Sequence, residues 1–438
     1  MKLRTIILIV FCWFSKVIYS QNNQQKKELY LPEKIWKIPE RNNFQEASSE
    51  YSFNRMIESE NIAMFWHKEY GANPMDNTDE TRRFNPKKAI LECERFYNFY
   101  VDSLKLVLKG KSLTDKYKLL IFVIGGEEGT AFGGGSEDVG VLWTPAVRIN
   151  KSPYGALAHE IGHSFQYLSR RDSKSGPNGP VMEMSAQYML WQVYPDWLTF
   201  ENYHLKGFLE GTHYAFLHPK NMYHSPFVLE YWSYKRGIDF WGELSRNTQE
   251  GEDVVETYKK LYKLNQDEFN DEMFDASRRF ITWDLPRIDS LAGPYRNMHK
   301  TKLTETGDGW YKVDSTNCPQ NYGYNAIKLK VPKYGQTIRL DFKGIVRSKE
   351  YKNRNAEFAG WRYGFVAYLN NGNRVYSKIY KDPQGRVKFK IPENTEYLWF
   401  TVTGAPRKHI SLVLKRGIEP LVEQWPYKFR LSGTFVGN

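Results

Sequence analysis

The segment from Tyr154 to Leu168 constrains the fold of this chain more than any other part of the sequence. It contains the pattern His-Glu-x-x-His at positions 159–163, and residues four positions apart lie on the same face of an α-helix. Apolar residues recur on the opposite face, at Leu157, Ile161, Phe165 and Leu168. The segment therefore predicts a helix that packs on a core by one face and presents two imidazoles on the other.

Two imidazoles one helical turn apart are suited to Zn²⁺, which prefers nitrogen and sulfur donors in a tetrahedral arrangement. Glu160, between the two histidines, is placed to take a proton from a water held by such an ion. We therefore predict His159 and His163 as metal ligands, Zn²⁺ as cofactor and Glu160 as general base. The alternative is a chance occurrence of the pattern in an ordinary core helix.

A catalytic zinc site needs a third protein ligand and leaves its fourth position open. The extended motif His-Glu-x-x-His-x-x-Gly-x-x-His is excluded, because Gln166 stands at the glycine position and Ser169 at that of the third histidine. The segment 176–180 breaks the chain, and a second helical pattern begins after it. Glu183, near the start of that helix, is the candidate third ligand; the alternative is a glutamate favoured there only by the helix dipole.

Two further segments are candidates for parts of a catalytic cleft. Residues 139–143 are predicted to form a strand, either an edge strand that pairs with an extended substrate or a plain core strand. Tyr223 and His224 precede a predicted helix, where a side chain can point into a cleft and stabilise an oxyanion. An ordinary polar loop is the alternative for each of these two residues.

The periodicity of the chain changes near residue 300. Apolar runs at 62–66 and 117–124, with a helical pattern over 84–107 between them, predict an α/β layer, and helical patterns dominate 154–285. Short alternating runs then predict a β-sandwich or jelly-roll-like module, with strands at 326–331, 337–342, 364–369, 375–380, 387–391, 397–402 and 410–414. The predicted fold class is α+β, with one domain over 46–298 and an all-β domain over 299–438.

Residues 1–20 are predicted to be a cleaved signal peptide, because Lys2 and Arg4 precede an apolar stretch and Ser20 offers a small residue for cleavage. The alternative is a membrane anchor, although Lys16 interrupts the stretch. Residues 21–45 are polar and are expected to form a flexible lead-in. We therefore expect a secreted or cell-surface protein without a membrane span, in which Cys93 and Cys318 are either bridged or free and buried.

Positive charge is concentrated in the last third of the chain. The whole chain has 62 basic and 50 acidic residues, a net charge of +12. Residues 301–438 have 24 basic and 11 acidic residues, so 24 − 11 = +13, whereas residues 21–300 have 35 and 39, so 35 − 39 = −4. Because the strings 347–354 and 386–390 interleave cations with aromatic residues, we predict that 301–438 binds an anionic glycan or a cell surface. The alternative is that these charges only keep the module soluble; nucleic acid is not an expected partner of an exported protein.

Three strings, at 138–143, 158–167 and 280–284, resemble those of the domain-of-unknown-function 6055 family, a secreted group that looks like gluzincin-type metallopeptidases. The resemblance extends over about residues 55–415. It implies a zincin-like metallopeptidase fold for 46–298 and one Zn²⁺ held by His159, His163 and Glu183, with Glu160 as the base. More distantly the pattern resembles enhancin-like peptidases, some of which cut glycosylated proteins.

These features predict a secreted zinc-dependent endopeptidase that hydrolyses protein or glycoprotein substrates. The rival prediction is a non-catalytic secreted glycan- or surface-binding protein with a structural zinc, whose site would be closed by a fourth protein ligand. A glycosidase would instead need an opposed pair of carboxylates, which the sequence does not locate.

Overall fold

The computed structural model describes residues 26–223, 226–415 and 418–437. The predicted signal peptide and His224 lie outside these residues. Within them, no helix is both long enough and apolar enough to cross a membrane. The structure combines helices with several β-sheets, which confirms the mixed α+β class.

The described residues form nine α-helices and fourteen β-strands. The helices are α1 Pro86–Asp102, α2 Gly155–Ser173, α3 Val181–Val193, α4 Trp197–Phe200, α5 Asn202–Glu210, α6 Phe227–Arg236, α7 Phe240–Asn247, α8 Val254–Leu261 and α9 Gln266–Phe280. The strands are β1 Met56–Glu58, β2 Ile62–Trp66, β3 Leu119–Ile124, β4 Phe132–Ser136, β5 Val139–Pro145, β6 Leu303–Thr306, β7 Trp310–Val313, β8 Tyr324–Leu329, β9 Thr337–Gly344, β10 Trp361–Leu369, β11 Arg374–Tyr376, β12 Gln384–Lys390, β13 Thr395–Gly404 and β14 Tyr427–Ser432.

The first sheet has the strand order β1-β2-β3-β5-β4, in which β2, β3 and β5 run parallel and the two outer strands run antiparallel. The central strand β3 is buried along its whole length, as expected for a sheet covered on both faces. Helices α1 and α2 cover one face. Residues 26–45, predicted to be a flexible lead-in, instead pack on the other face, where Ile35 is 7% exposed.

The edge of this sheet nearest α2 is β4, so the prediction of an edge strand at 139–143 is wrong: that segment lies in β5, between β3 and β4. Gly133 and Gly135 allow β4 to lie directly against the helix. A Cβ atom on Gly133 would be 1.9 Å from the carbonyl oxygen of Glu160, and one on Gly135 would be 2.1 Å from the ring of Tyr167. Gly134 faces the other way, where the nearest atom to an added Cβ would be 3.9 Å away.

The last third of the chain forms two antiparallel sheets with one shared core. The four-stranded sheet has the order β11-β10-β13-β8 and the five-stranded sheet the order β12-β9-β14-β7-β6. The first six predicted strands correspond to β8 to β13, although β11 ends earlier than predicted. The predicted strand at 410–414 is wrong, because those residues form no strand; β6, β7 and β14 complete the five-stranded sheet instead.

The four-stranded sheet also packs against the helical region through its second face. Val366 and Trp399 belong to the same core cluster as Phe269 and Met273 of α9. Arg362 of β10, whose side chain is 4% exposed, forms ion pairs with two aspartates of α9, Asp267 and Asp271. Helices, inner sheet and outer sheet are therefore three successive layers.

The contact between β4 and α2 predicts that alanine substitutions at two neighbouring glycines have different effects on the free energy of unfolding. Gly133→Ala is expected to lower the free energy of unfolding by about 1–3 kcal/mol, because the methyl group overlaps helix backbone that cannot rotate away. Gly134→Ala, the matched control, is expected to change it by less than about 1 kcal/mol. Urea denaturation measures both values, and equal losses in the two variants would contradict this packing.

Candidate metal centre

The structure brings His159, His163 and Glu183 together. The two histidines lie one turn apart on α2, and Glu183 lies in the first turn of α3. The imidazole Nε2 atoms are 3.2 Å apart, and Glu183 Oε2 is 3.2 Å from that of His159 and 3.3 Å from that of His163. The three residues predicted as metal ligands thus form a single cluster, whose metal-binding role stays a prediction.

The shape and chemistry of this cluster fit a zinc ion. Ligand atoms that lie 2.0–2.1 Å from a tetrahedral zinc are about 3.3 Å from one another, because the edge of a tetrahedron is about 1.6 times its centre-to-corner distance. The three separations in the cluster are close to this value. Among the described residues no fourth His, Cys, Asp or Glu joins the cluster, which gives it the ligand number of an open site.

Two glutamines orient the imidazoles. Gln166 Oε1 lies 2.9 Å from His163 Nδ1, and Gln187 Oε1 lies 3.2 Å from His159 Nδ1. An amide oxygen only accepts hydrogen bonds, so each Nδ1 carries a hydrogen and each Nε2 can offer its lone pair to an ion in the cluster. This is the arrangement that metal-bound histidines require.

Gln166 also connects the two helices of the cluster. Its Nε2 donates to the carbonyl oxygen of Met182 and to the hydroxyl of Ser185, both at 2.8 Å, at the start of α3. In the sequence, Gln166 served only to exclude the extended motif, and this second role was missed. Its position three residues after His163, on the same helix face, is the signal that could have found it.

The two carboxylates of the site have opposite pKa shifts. Burial raises the pKa of Glu160, while the two imidazoles and the Gly133 N–H act in the other direction. Burial also disfavours ionised Glu183, but its contacts with both histidines outweigh this and hold the pKa of Glu183 well below its usual range. A carboxylate with a raised pKa is suited to exchanging protons, and one with a lowered pKa is suited to holding a cation.

Tyr223 lies beside the cluster and lines the cleft, and its predicted role in stabilising an oxyanion stays a prediction. Its ring centroid is 6.5 Å from that of His159. Burial raises the pKa of Tyr223 to about 12, and the negative charge of Glu183 contributes in the same direction. The hydroxyl of Tyr223 therefore stays protonated and can donate a hydrogen bond. The companion prediction, His224, lies outside the described residues.

A cleft of about 770 Å³ opens beside the cluster, and His159, Glu160 and Tyr223 line it. Its lining also includes aromatic side chains of α4 and α5, of which Phe200 is 68% exposed and Tyr203 is 57% exposed. These residues were missed in the sequence, since aromatics at helical spacing resemble core positions. The cleft connects the cluster with the surface of the protein.

Comparison with known proteins identifies a family but no activity. A family model described as "Family of unknown function (DUF6055)" matches residues 21–438. No curated protein matches the sequence.

Solved structures resemble the chain only weakly. The Glycosylation Associate Protein (Gap123) complex from Streptococcus agalactiae has 9% identity and a TM-score of 0.17, over 30% of this chain and 38% of that one. The M60 catalytic domain with two CBM51 domains from Clostridium perfringens ZmpB has 10% identity and a TM-score of 0.28, over 89% of this chain and 60% of that one. The CBM22-1 xylan-binding domain of Paenibacillus barcinonensis Xyn10C has 12% identity and a TM-score of 0.17, over 32% and 83%. TM-scores this low do not establish a shared fold.

The cluster predicts one zinc ion per chain. His159→Ala and His163→Ala are each expected to abolish zinc binding, because each removes one of three protein ligands. His204→Ala changes a histidine of the same cleft outside the cluster and is expected to retain the metal. Elemental analysis of the purified proteins measures the zinc content, and equal content in all variants would contradict the assignment.

The hydrogen bonds that Gln166 makes predict that its replacement changes the affinity for zinc. Gln166→Leu is expected to weaken zinc binding by about 10–100-fold, because the His163 imidazole loses the acceptor that orients it. Gln192→Leu, on α3 but bonded to Glu230, is the matched control and is expected to leave the affinity unchanged. Competition with a chelator measures both affinities. An unaltered affinity in Gln166→Leu would show that the amide orients nothing.

Proposed function

The chain belongs to the DUF6055 family of unknown function, and we propose that it is a secreted zinc-dependent endopeptidase acting on protein or glycoprotein substrates. The proposal includes a zincin-like fold for residues 46–298 and export directed by residues 1–20. It assigns His159, His163 and Glu183 as the zinc ligands and Glu160 as the general base.

The observation that carries this proposal is the triangle of two Nε2 atoms and one carboxylate oxygen beside a large cleft. A purely structural zinc site is closed by four protein ligands, whereas the described residues supply three. Glu160, which contributes no ligand atom to the cluster, also lines the cleft. This combination supports catalysis over the rival structural site.

The chain's own residues have distinct tasks in peptide hydrolysis. When bound, zinc supplies a Lewis acid that polarises the scissile carbonyl and lowers the pKa of a water molecule. The Glu160 carboxylate accepts a proton from the attacking water and delivers it to the leaving amine. The Tyr223 hydroxyl donates a hydrogen bond to the carbonyl oxygen as negative charge develops there.

The substrate backbone has a suitable partner in β4. Among the described strands, β4 pairs only with β5, and its other edge is where an extended peptide would bind in this proposal. Thr130 and Ala131, just before β4, line the cleft, and Gly133 lies against Glu160. A peptide added to this edge would pass beside the proposed base.

The variant Glu160→Gln tests the role of Glu160 in catalysis without removing a metal ligand. This variant is expected to retain zinc and to lower kcat by about 10²–10⁴-fold, because an amide cannot accept the proton. Glu201→Gln changes another carboxylate of the cleft and is expected to remain active. The measurement is a map of cleavage products after incubation with a mixed proteome and with a mucin, followed by kinetics on a mapped peptide.

Two outcomes would overturn the proposal. Full cleavage by Glu160→Gln would exclude Glu160 as the base. A wild-type protein that holds zinc but cleaves nothing, or a fourth protein side chain on the metal, would favour the non-catalytic glycan- or surface-binding protein.

A further inference from the structure

The outward face of the five-stranded sheet carries an array of cations. Alternate residues of β9, β12 and β14 point into the shared core, for example Leu340, Val387 and Phe429, so the residues between them face away from it. Eight basic residues occupy outward positions on β7, β9, β12 and β14. Together they form what we call the cation face: Lys312, Arg339, Lys343, Arg386, Lys388, Lys390, Lys428 and Arg430.

Several of these cations lie directly opposite one another on neighbouring strands. Lys388 is paired in register with Arg339. Lys428 is paired with Lys343 on one side and with Lys312 on the other. Like charges in such positions destabilise a sheet. Solubility alone does not require this repulsion between like charges, since alternating positive and negative side chains would keep the same face hydrated.

Few carboxylates compensate the cation face. Asp341 accepts hydrogen bonds from Arg386 and Arg430, and Glu350 pairs with Lys312. Among the described residues, no ion pair within 4.0 Å is formed by the other five cations, which are Arg339, Lys343, Lys388, Lys390 and Lys428. Five positive charges are thus fixed on rigid strands without an anionic partner.

We propose that the cation face binds a linear sulfated polysaccharide. Its charges repeat about every 4.8 Å across the strands and about every 6.8 Å along them. A flat array with this spacing can engage several sulfate groups of one polymer at once. Sulfate oxygens accept the charge-assisted hydrogen bonds that Lys and Arg donate, and the summed field draws a polyanion to the face.

The composition of the cation face disfavours two other anionic partners, a membrane surface and single-stranded nucleic acid. A membrane-binding surface presents apolar side chains between its cations. On β7, β9, β12 and β14, no large apolar side chain is among the exposed ones. Single-stranded nucleic acid binds through exposed aromatic rings, whereas the one outward ring here, Trp310, is covered by Lys428 at 4.7 Å and Arg430 at 5.3 Å.

The test compares two variants of the full-length protein that lose the same charge. One replaces four cations of the face: Arg339→Gln, Lys343→Gln, Lys388→Gln and Lys428→Gln. The matched control replaces four exposed lysines elsewhere: Lys87→Gln, Lys88→Gln, Lys111→Gln and Lys235→Gln. The probe is heparin, with Kd measured at low salt and then at increasing salt.

The face variant is expected to raise the heparin Kd about tenfold or more, and the control about twofold or less, because the lost charges lie inside the array only in the first case. Wild-type affinity should fall as salt rises. The face variant should have an unchanged or higher Tm, since it removes opposed like charges, so that lost binding does not reflect lost folding.

Three results would overturn the proposal. Equal Kd values in the two variants would show that net charge alone determines binding. Undiminished wild-type affinity for desulfated heparin would remove sulfate as the recognised group. Tighter binding to phosphatidylserine vesicles or to single-stranded DNA than to heparin would assign the face to another partner. No catalysis is measured, so the outcome is independent of the proposed peptidase activity.

Discussion

The geometry of the candidate metal centre depends on the burial of one face of α2. Leu157, Ile161 and Phe165 are fully buried, which fixes the rotation of the helix about its axis. The opposite face, with its two imidazoles, is therefore fixed as well. Close contact with Gly133 and Gly135 of β4 then determines how near α2 lies to the sheet, and the side-chain amide of Gln166 connects α2 to the start of α3. Ordinary hydrophobic packing thus determines where the polar atoms of the cluster lie.

Features that follow from short-range periodicity could be predicted from the sequence. The helix expected from residue 154 begins at Gly155, and the buried run at 117–124 becomes β3. Glu183 was found because a chain break and a new helix start are both visible in the sequence. Each of these signals arises within about 15 residues, where local propensity and patterning agree.

Features that depend on contacts between distant segments could not be predicted. The glycines at 133–135 resemble a loop, because glycine is depleted in strands. In the structure they form β4, where Gly133 and Gly135 lie so close to α2 that a side chain would not fit. Likewise β14 lies between β9 and β7, and no local pattern reveals a pairing that spans more than 80 residues of chain. The second glutamine, Gln187, meets His159 only once the two helices pack together.

The four-stranded sheet contributes side chains to two hydrophobic cores, one on each of its faces. Phe365 and Phe400 fill the core shared with the outer sheet, while Val366 and Trp399, their neighbours along the chain, fill the core shared with α9. Neither the helices nor the outer sheet keeps a complete core without this middle layer. Partial unfolding of either part would expose one of its apolar faces to water, so the two are expected to melt in one transition and not to survive as separate proteolytic fragments.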